Sequence, residues 1–216
     1  MKVKKPRTRL SPEAREQEIL QLAAKIVADE GVFAVSAERI GNALGISKST
    51  VYSYFPSIPE LLQELFKREM KSLRAKQHKA AMEANTMEQL VRDVTRAYLD
   101  YIEEKGLLIS RLQVEPSLSS MGGLTFYGRD TAVQYLAKIV SDTFEIPMNI
   151  AVPAVDISFG LPEAAGHCLI NKVTDRQTIE DLTVAMILST IKATKDGYDL
   201  NLRPIPKPDS FQVVKK

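Results

Sequence analysis

S-A-E-R-I-G-N-A-L-G-I-S-K-S-T-V-Y-S-Y-F, from Ser36 to Phe55, reads as two short helices joined by a tight turn. Ser36 is placed to cap the first, since a serine hydroxyl accepts a bond from a free N–H of the opening turn. Ala37, Ile40 and Leu44 recur at helical spacing and mark its buried face. Gly45 stands where a left-handed residue ends a helix without a Cβ clash. Ser47 then caps the second helix. That helix buries Val51 and Phe55 and turns Lys48, Ser49, Thr50, Tyr52, Ser53 and Tyr54 outward. A short helix with hydroxyls, phenols and one lysine on its outer face suits a nucleic-acid groove, because these groups bond both phosphate oxygens and base edges. The plainer reading is a helix hairpin in an all-α domain.

Working outward toward the N-terminus, Ser11-Pro12-Glu13 opens an earlier helix, with a capping serine, a first-turn proline and an acid near the positive end. Its stripe is Ile19, Leu22, Ala23, Ile26 and Val27, and Gly31 stops it. Val32, Phe33 and Val35 are expected to fold back as apolar plugs. Before it, residues 1–10 hold Lys2, Lys4, Lys5, Arg7 and Arg9 and no acid. That arm is either a phosphate-seeking tail or a solubilising terminus.

Toward the C-terminus, Pro56 and Pro59 break the chain, and Pro59 can also begin a helix. The next helix is apolar through Leu61, Leu62, Leu65, Phe66, Met70 and Leu73, then turns polar. It would act as a rigid lever between the small unit and the rest. Thr86 opens another helix that Gly106 is expected to break, with a short apolar helix from Leu107 to Val114. Residues 117–124 read as a connection, in which Gly122-Gly123 forms either a mobile entrance or a plain turn. Tyr127 to Phe144 is again helical. Residues 152–170 and 178–193 are apolar on more than one face. A helix greasy most of the way round needs burial on a second side. Here that side is either a second copy of the chain, in a two-fold four-helix interface, or the centre of a monomer. Pro204, Pro206 and Pro208 make the tail extended.

The composition limits the function classes. Twenty-nine basic and 27 acidic residues over 216 positions nearly balance, so the basic charge is local to the arm. A single cysteine, Cys168, allows no intramolecular disulfide. No apolar run approaches the roughly 20 residues of a membrane span. A cytoplasmic protein with no membrane partner is expected. His167 and Cys168 are adjacent, but neighbours on a helix point about 100° apart and cannot act as base and nucleophile. Neither a Gly-rich phosphate loop nor a Cys/His metal spacing occurs, so no enzyme activity, cofactor or metal is expected.

Gly31 to Phe55 resembles the N-terminal DNA-binding domain of the TetR family of transcription regulators. The resemblance covers roughly residues 15–65. It rests on Gly31-x-x-x-Val35-Ser36, Ile40-x-x-x-x-Gly45-Ile46-Ser47 and Thr50-Val51-Tyr52-x-x-Phe55. It implies an all-α fold with an N-terminal helix-turn-helix domain and a larger helical C-terminal domain that binds a small molecule and dimerises. The division expected is a basic arm at 1–10, a DNA-binding domain at 11–57, an effector and dimerisation domain at 58–198, and a tail at 199–216. The resemblance also implies a homodimer through the helices at 152–170 and 178–193, a double-stranded DNA operator and a small-molecule effector, most often with repression. The alternative is a DNA-binding or scaffold protein with no effector. The DNA contacts carried over are Ser36, Ala37, Lys48, Ser49, Thr50, Tyr52, Ser53 and Tyr54. Two positions depart from the family. Ile58 stands where many relatives have a phosphate-binding lysine, and Gly41 where alanine is usual.

For the effector, Tyr98, Tyr101, Phe126, Tyr127 and Phe159 either line an aromatic pocket or form plain core. Asp156, Glu163 and His167 are spaced to share one face of the 152–170 helix, with Pro162 expected to kink it. Buried acids need partners, so this line meets either a polar or cationic ligand, through Glu163 and His167, or a basic group within the chain or across the dimer.

Overall fold

The computed structural model describes residues 10–119 and 128–196, and every regular element among them is helical. The first three helices form the small unit. α1 (Pro12–Glu30) starts at Ser11, whose Oγ accepts from Ala14 N at 3.2 Å, and buries Ile19, Leu20, Ala23, Ile26 and Val27. A short 3-10 turn (Val32–Ala34) leads to α2 (Ala37–Leu44) and α3 (Lys48–Tyr54). Val32 and Val35 plug the core as expected. Phe33 does not: it is 88% exposed. In so short a turn two of three side chains cannot share the inner side, and Val32 takes it.

α4 (Ile58–Glu83) begins with a capping pair, in which Glu60 N donates to Ser57 Oγ and that hydroxyl donates back to Glu60 Oε1 at 2.8 Å. Its apolar face, from Leu61 to Leu73, lies in one continuous core with α1, α2, α3 and α5. α5 (Met87–Leu112) opens on Thr86 and runs straight through Gly106, contrary to the expected break and the separate Leu107–Val114 helix. An interior glycine costs only about 1 kcal/mol of helix propensity. Here Gly106 is buried on α5, and a Cβ placed on it would lie 3.5 Å from Ile102 and Ile170.

The remaining helices are α6 (Pro116–Ser119), α7 (Arg129–Phe144), α8 (Met148–Ser158), α9 (Gly160–Ile170) and α10 (Arg176–Asp196). The single kinked helix expected at 152–170 is thus two helices meeting at Phe159. Pro162 has no N–H for the carbonyl of Ser158, and its ring crowds that carbonyl, so the helix ends there. α7, α8 and α10 enclose a second, smaller core around Val133, Ala137, Val140, Val155 and Ile191. α10 is fastened to α5 by the carboxylate of Glu180. This group is wholly shielded from solvent and accepts from Arg96 at 2.8 Å and from Arg176 at 3.0 Å. No helix among the described residues is long and apolar enough to cross a membrane.

Candidate nucleic-acid interface and effector cavity

The turn between α2 and α3 is set by local bonds. Gly45 adopts φ 61°, ψ 40°, the left-handed conformation that its lack of a Cβ permits. Ile46 N donates to the Gly41 carbonyl at 2.9 Å. A Cβ at Gly41 would come within 2.8 Å of the Ile46 carbonyl oxygen, so glycine lets this turn sit close against α2. Ser36 Oγ accepts from Arg39 N, and Ser47 Oγ accepts from Thr50 N at 3.0 Å.

α3 then presents a hydroxyl cluster. Ser47 Oγ lies 2.7 Å from both Ser49 Oγ and Thr50 Oγ1, and Ser53 Oγ donates to the Thr50 carbonyl. Lys48 Nζ sits 5.8 Å from the centre of the Tyr52 ring, which keeps the ammonium beside the phenol. Ser36, Lys48, Ser49, Tyr52 and Ser53 are exposed and Thr50 is half-buried. Two of the expected contacts are placed otherwise. Ala37 is 1% exposed, backbone included, so this position is core rather than contact surface. Tyr54 is half-buried and packs on the core, because one helical turn separates it from Val51 and it shares that residue's side. Arg39, exposed on α2, is bound by Glu30, which fastens α2 to the end of α1.

Between the two cores lies a cavity in two joined chambers. The inner one, about 90 Å³, is walled by Leu90, Val91, Val140, Val155 and Ile191, with Tyr98 and Thr95 from α5. The outer one, about 390 Å³, is bounded by Lys71, His78, Thr131 and Tyr135. Arg74, Gln77, Val94, Leu136 and Phe159 belong to both. Arg74 donates to Gln77 Oε1 at 2.7 Å. Two guanidinium groups lie over the Phe159 ring, that of Arg129 5.5 Å and that of Arg74 6.0 Å from its centre. Burial lowers the Arg74 pKa, and the nearby charge of Arg129 lowers it further. Burial raises the Tyr98 hydroxyl to about 12, with a smaller contribution from the Glu163 charge.

Residues 19–65 match the profile of the bacterial regulatory proteins of the tetR family. This is the stretch from α1 to the start of α4 whose geometry has just been given. Residues 19–65 are a TetR-family DNA-binding domain. Over 62 residues it is 36% identical to the HTH-type transcriptional regulator LuxR of Vibrio harveyi, covering 29% of this chain and 30% of that one. Over 62 residues it is 34% identical to the HTH-type transcriptional repressor KstR2 of Mycolicibacterium smegmatis, with the same coverage. The chain thus matches less than a third of the length of either curated relative. A TetR-family transcriptional regulator from Streptomyces coelicolor superposes with a TM-score of 0.67 at 21% identity, over 86% of this chain and 83% of that one. That likeness is one of fold. TetR-like chains place a helix-turn-helix domain before a helical C-terminal domain, and α1–α3 followed by α4–α10 keep that order.

Within this TetR-family fold, the expected effector residues separate. Tyr98 and Phe159 line the cavity. Tyr101, one helical turn beyond Tyr98, is 1% exposed in the main core and lines neither chamber. Phe126, Tyr127, Gly122 and Gly123 lie outside the described residues, as do residues 1–9 of the arm and the tail. The polar line is also divided. Asp156, on α8, accepts from Arg129 Nε at 2.6 Å. Glu163 and His167, on α9, are exposed and line neither chamber, and His167 is bonded to Asn171. The break at Phe159 removed the common face that an unbroken helix would have had. Arg74, Gln77 and Lys71 escaped notice because they fall in a polar half of α4 that reads as a solvated end.

Proposed function

We infer that the chain is a dimeric repressor that places two α3 helices in successive major grooves of an operator and leaves it when a small molecule fills the α4/α5/α7 cavity. The exposed hydroxyl, phenol and lysine face of α3 carries this reading. Lys48, Tyr52 and the hydroxyls of Ser36, Ser49, Thr50 and Ser53 are the proposed contacts. The proposed phosphate contacts include Tyr52. Ser49 and Ser53 are proposed to reach base edges.

Dimerisation is supported by what α8 to α10 leave uncovered. Ile157 is 75% exposed, Ile170 55%, Leu182 57% and Met186 52%. A second copy set against α8, α9 and α10 by a two-fold axis would bury these residues and fix the spacing of the two recognition helices. The repressor sense rests on the relative whose printed name is a repressor. A chain acting on an operator in this way works in the cytoplasm.

Coupling would run through two links. α4 carries Arg74 and Gln77 in the cavity wall, and the same helix begins against α1. Arg111 of α5 donates to the carbonyls of Ala28 at 2.5 Å and Val27 at 3.2 Å, at the end of α1. An effector that holds α4 and α5 apart by a different amount would therefore move the helix on which α2 and α3 rest. It acts only if it binds that arrangement better than the DNA-bound one. The test is a mobility-shift titration of the full chain with operator-sized fragments from its own genomic neighbourhood. A shift of two protomers per fragment, abolished by Lys48→Ala with Tyr52→Phe, is expected. Unchanged binding by that double variant refutes the assigned face.

A further inference from the structure

The cavity has one sign of charge. Lys71 and Arg74 are its formal cations, and His78 stands beside them. No aspartate or glutamate is among the described lining residues of either chamber. Of the acids on α8 and α9, Asp156 accepts from Arg129, and Glu163 is exposed and lines neither chamber, though its charge reaches Tyr98. The charge is also asymmetric in space. Arg74 stands at the junction of the chambers and Lys71 in the outer one, whereas beyond Phe159 the inner wall is chiefly aliphatic. Taking a guanidinium out of water is costly, and its depressed pKa reflects this. The charge of Arg129, which lies over the same Phe159 ring, adds repulsion.

We propose that the cavity takes an amphipathic carboxylate, with the head on Arg74 at the junction and an unbranched apolar tail in the inner chamber. This rests on the effector reading above and gives it a chemical class. A carboxylate matches the planar guanidinium fork in two-point geometry. Gln77, which already accepts from Arg74, can turn its amide N–H₂ toward the same head. The head also offsets the repulsion between Arg74 and Arg129. The tail replaces water against Leu90, Val140 and Ile191, where nothing competes for hydrogen bonds. A cationic amphiphile would meet Arg74 and Lys71 with like charge. A neutral one would bury the apolar tail but forgo the ion pair.

The experiment is calorimetric titration of the full chain near neutral pH with three probes of equal tail length: octanoate, 1-octanol and octylammonium. Octanoate is expected to bind about tenfold more tightly than octanol, the ratio of one charge-assisted contact, and octylammonium more weakly than either. Arg74→Gln should remove the preference for octanoate and leave octanol binding within about twofold, while Arg74→Lys should keep part of it. Lys71→Gln, at an exposed residue on the wall of the outer chamber, gives a second reading that does not depend on a buried substitution folding, and should weaken octanoate alone. Octanol or octylammonium binding as tightly as octanoate overturns the proposal, as does the failure of all three to bind. The same probes are then added to the protein–DNA complex. Octanoate that binds but leaves the complex intact upholds the ligand class and refutes the effector reading. Release by octylammonium without octanoate binding does the reverse.

Discussion

Arg96 Nη2 donates to Glu180 Oε1 at 2.8 Å, and the carboxylate it reaches has no solvent exposure at all. Arg176 takes the other oxygen, and Arg92 approaches at 3.5 Å while also holding Asp181 at 2.6 Å. One buried anion thus organises three arginines that remain a quarter to almost half exposed. The asymmetry predicts unequal losses. Glu180→Ala leaves three cations around an apolar gap and should cost about 3 kcal/mol, the low end for breaking a buried pair, because the arginines can rehydrate. Arg96→Ala leaves the carboxylate with two other arginines and should cost about 1 kcal/mol. Urea unfolding at neutral pH separates the two, and equal losses would contradict the hub.

Alkaline pH should act on Tyr98. Its hydroxyl has an ordinary value of 10.0 and is pushed to about 12 in the folded chain, chiefly by burial. Between these values the unfolded chain loses the proton and the folded chain keeps it. Stability therefore falls as pH rises from about 10 to about 12, by up to about 2 to 3 kcal/mol, and is unaffected by this group below pH 10. Tyr101 is raised in the same direction by burial and adds to the loss. Tyr98→Phe should flatten part of the decline in melting temperature measured over that window.

Arg111 caps the end of α1 from a helix more than eighty residues away. Arg111→Ala removes bonds from a charged donor to two carbonyls and should cost about 2 kcal/mol. The loss should be local as well as global. Hydrogen exchange of the last turn of α1 is expected to quicken, with amides of α7 and α8 unchanged. Uniform acceleration would show that the contact stabilises the fold without linking these helices specifically.

On DNA, charge and hydroxyl contacts should separate by salt. Lys48→Ala should reduce the slope of log affinity against log salt by about 1. Tyr52→Phe and Thr50→Ala should each weaken binding by up to about tenfold with the slope unchanged, since they remove neutral hydrogen bonds. Fluorescence anisotropy over a salt series, with melting curves alongside, reads both effects. A Tyr52→Phe chain with full affinity would remove that phenol from the interface.

Leu182 and Met186 test the dimer. Both are more than half exposed on α10. Leu182→Glu should leave the protomer helical, because the side chain already faces solvent there, but shift sedimentation from dimer to monomer. DNA affinity should fall with it, since one half-site carries only part of the binding energy. An unaltered sedimentation coefficient would locate the interface elsewhere.

The residues from Ser36 to Phe55 could be read directly because their structure is made by bonds three residues apart. Ser36 to Arg39, Ser47 to Thr50 and the left-handed Gly45 depend on neighbours in the chain and little else. The same holds for the helix starts at Ser11, Ser57 and Thr86. Gly106 shows the limit of such reading. A glycine stops a helix or passes through it according to whether packing offsets its propensity cost, and the long contact of α5 with α4 and α9 decided for passage. Phe159 is the opposite case, where Pro162 did more than kink the chain and so separated Asp156 from Glu163 and His167.

By itself, the sequence determined an all-helical chain, the recognition hairpin and most helix starts, since these follow from caps, turns and apolar period. Only the tertiary structure decided that Tyr101 is core while Tyr98 faces a cavity, that Phe33 stands in solvent, and that Arg74 and Lys71 supply the cavity's charge. These outcomes depend on where two packed cores fail to merge, and that is set by contacts between residues far apart in the chain, which no local pattern records.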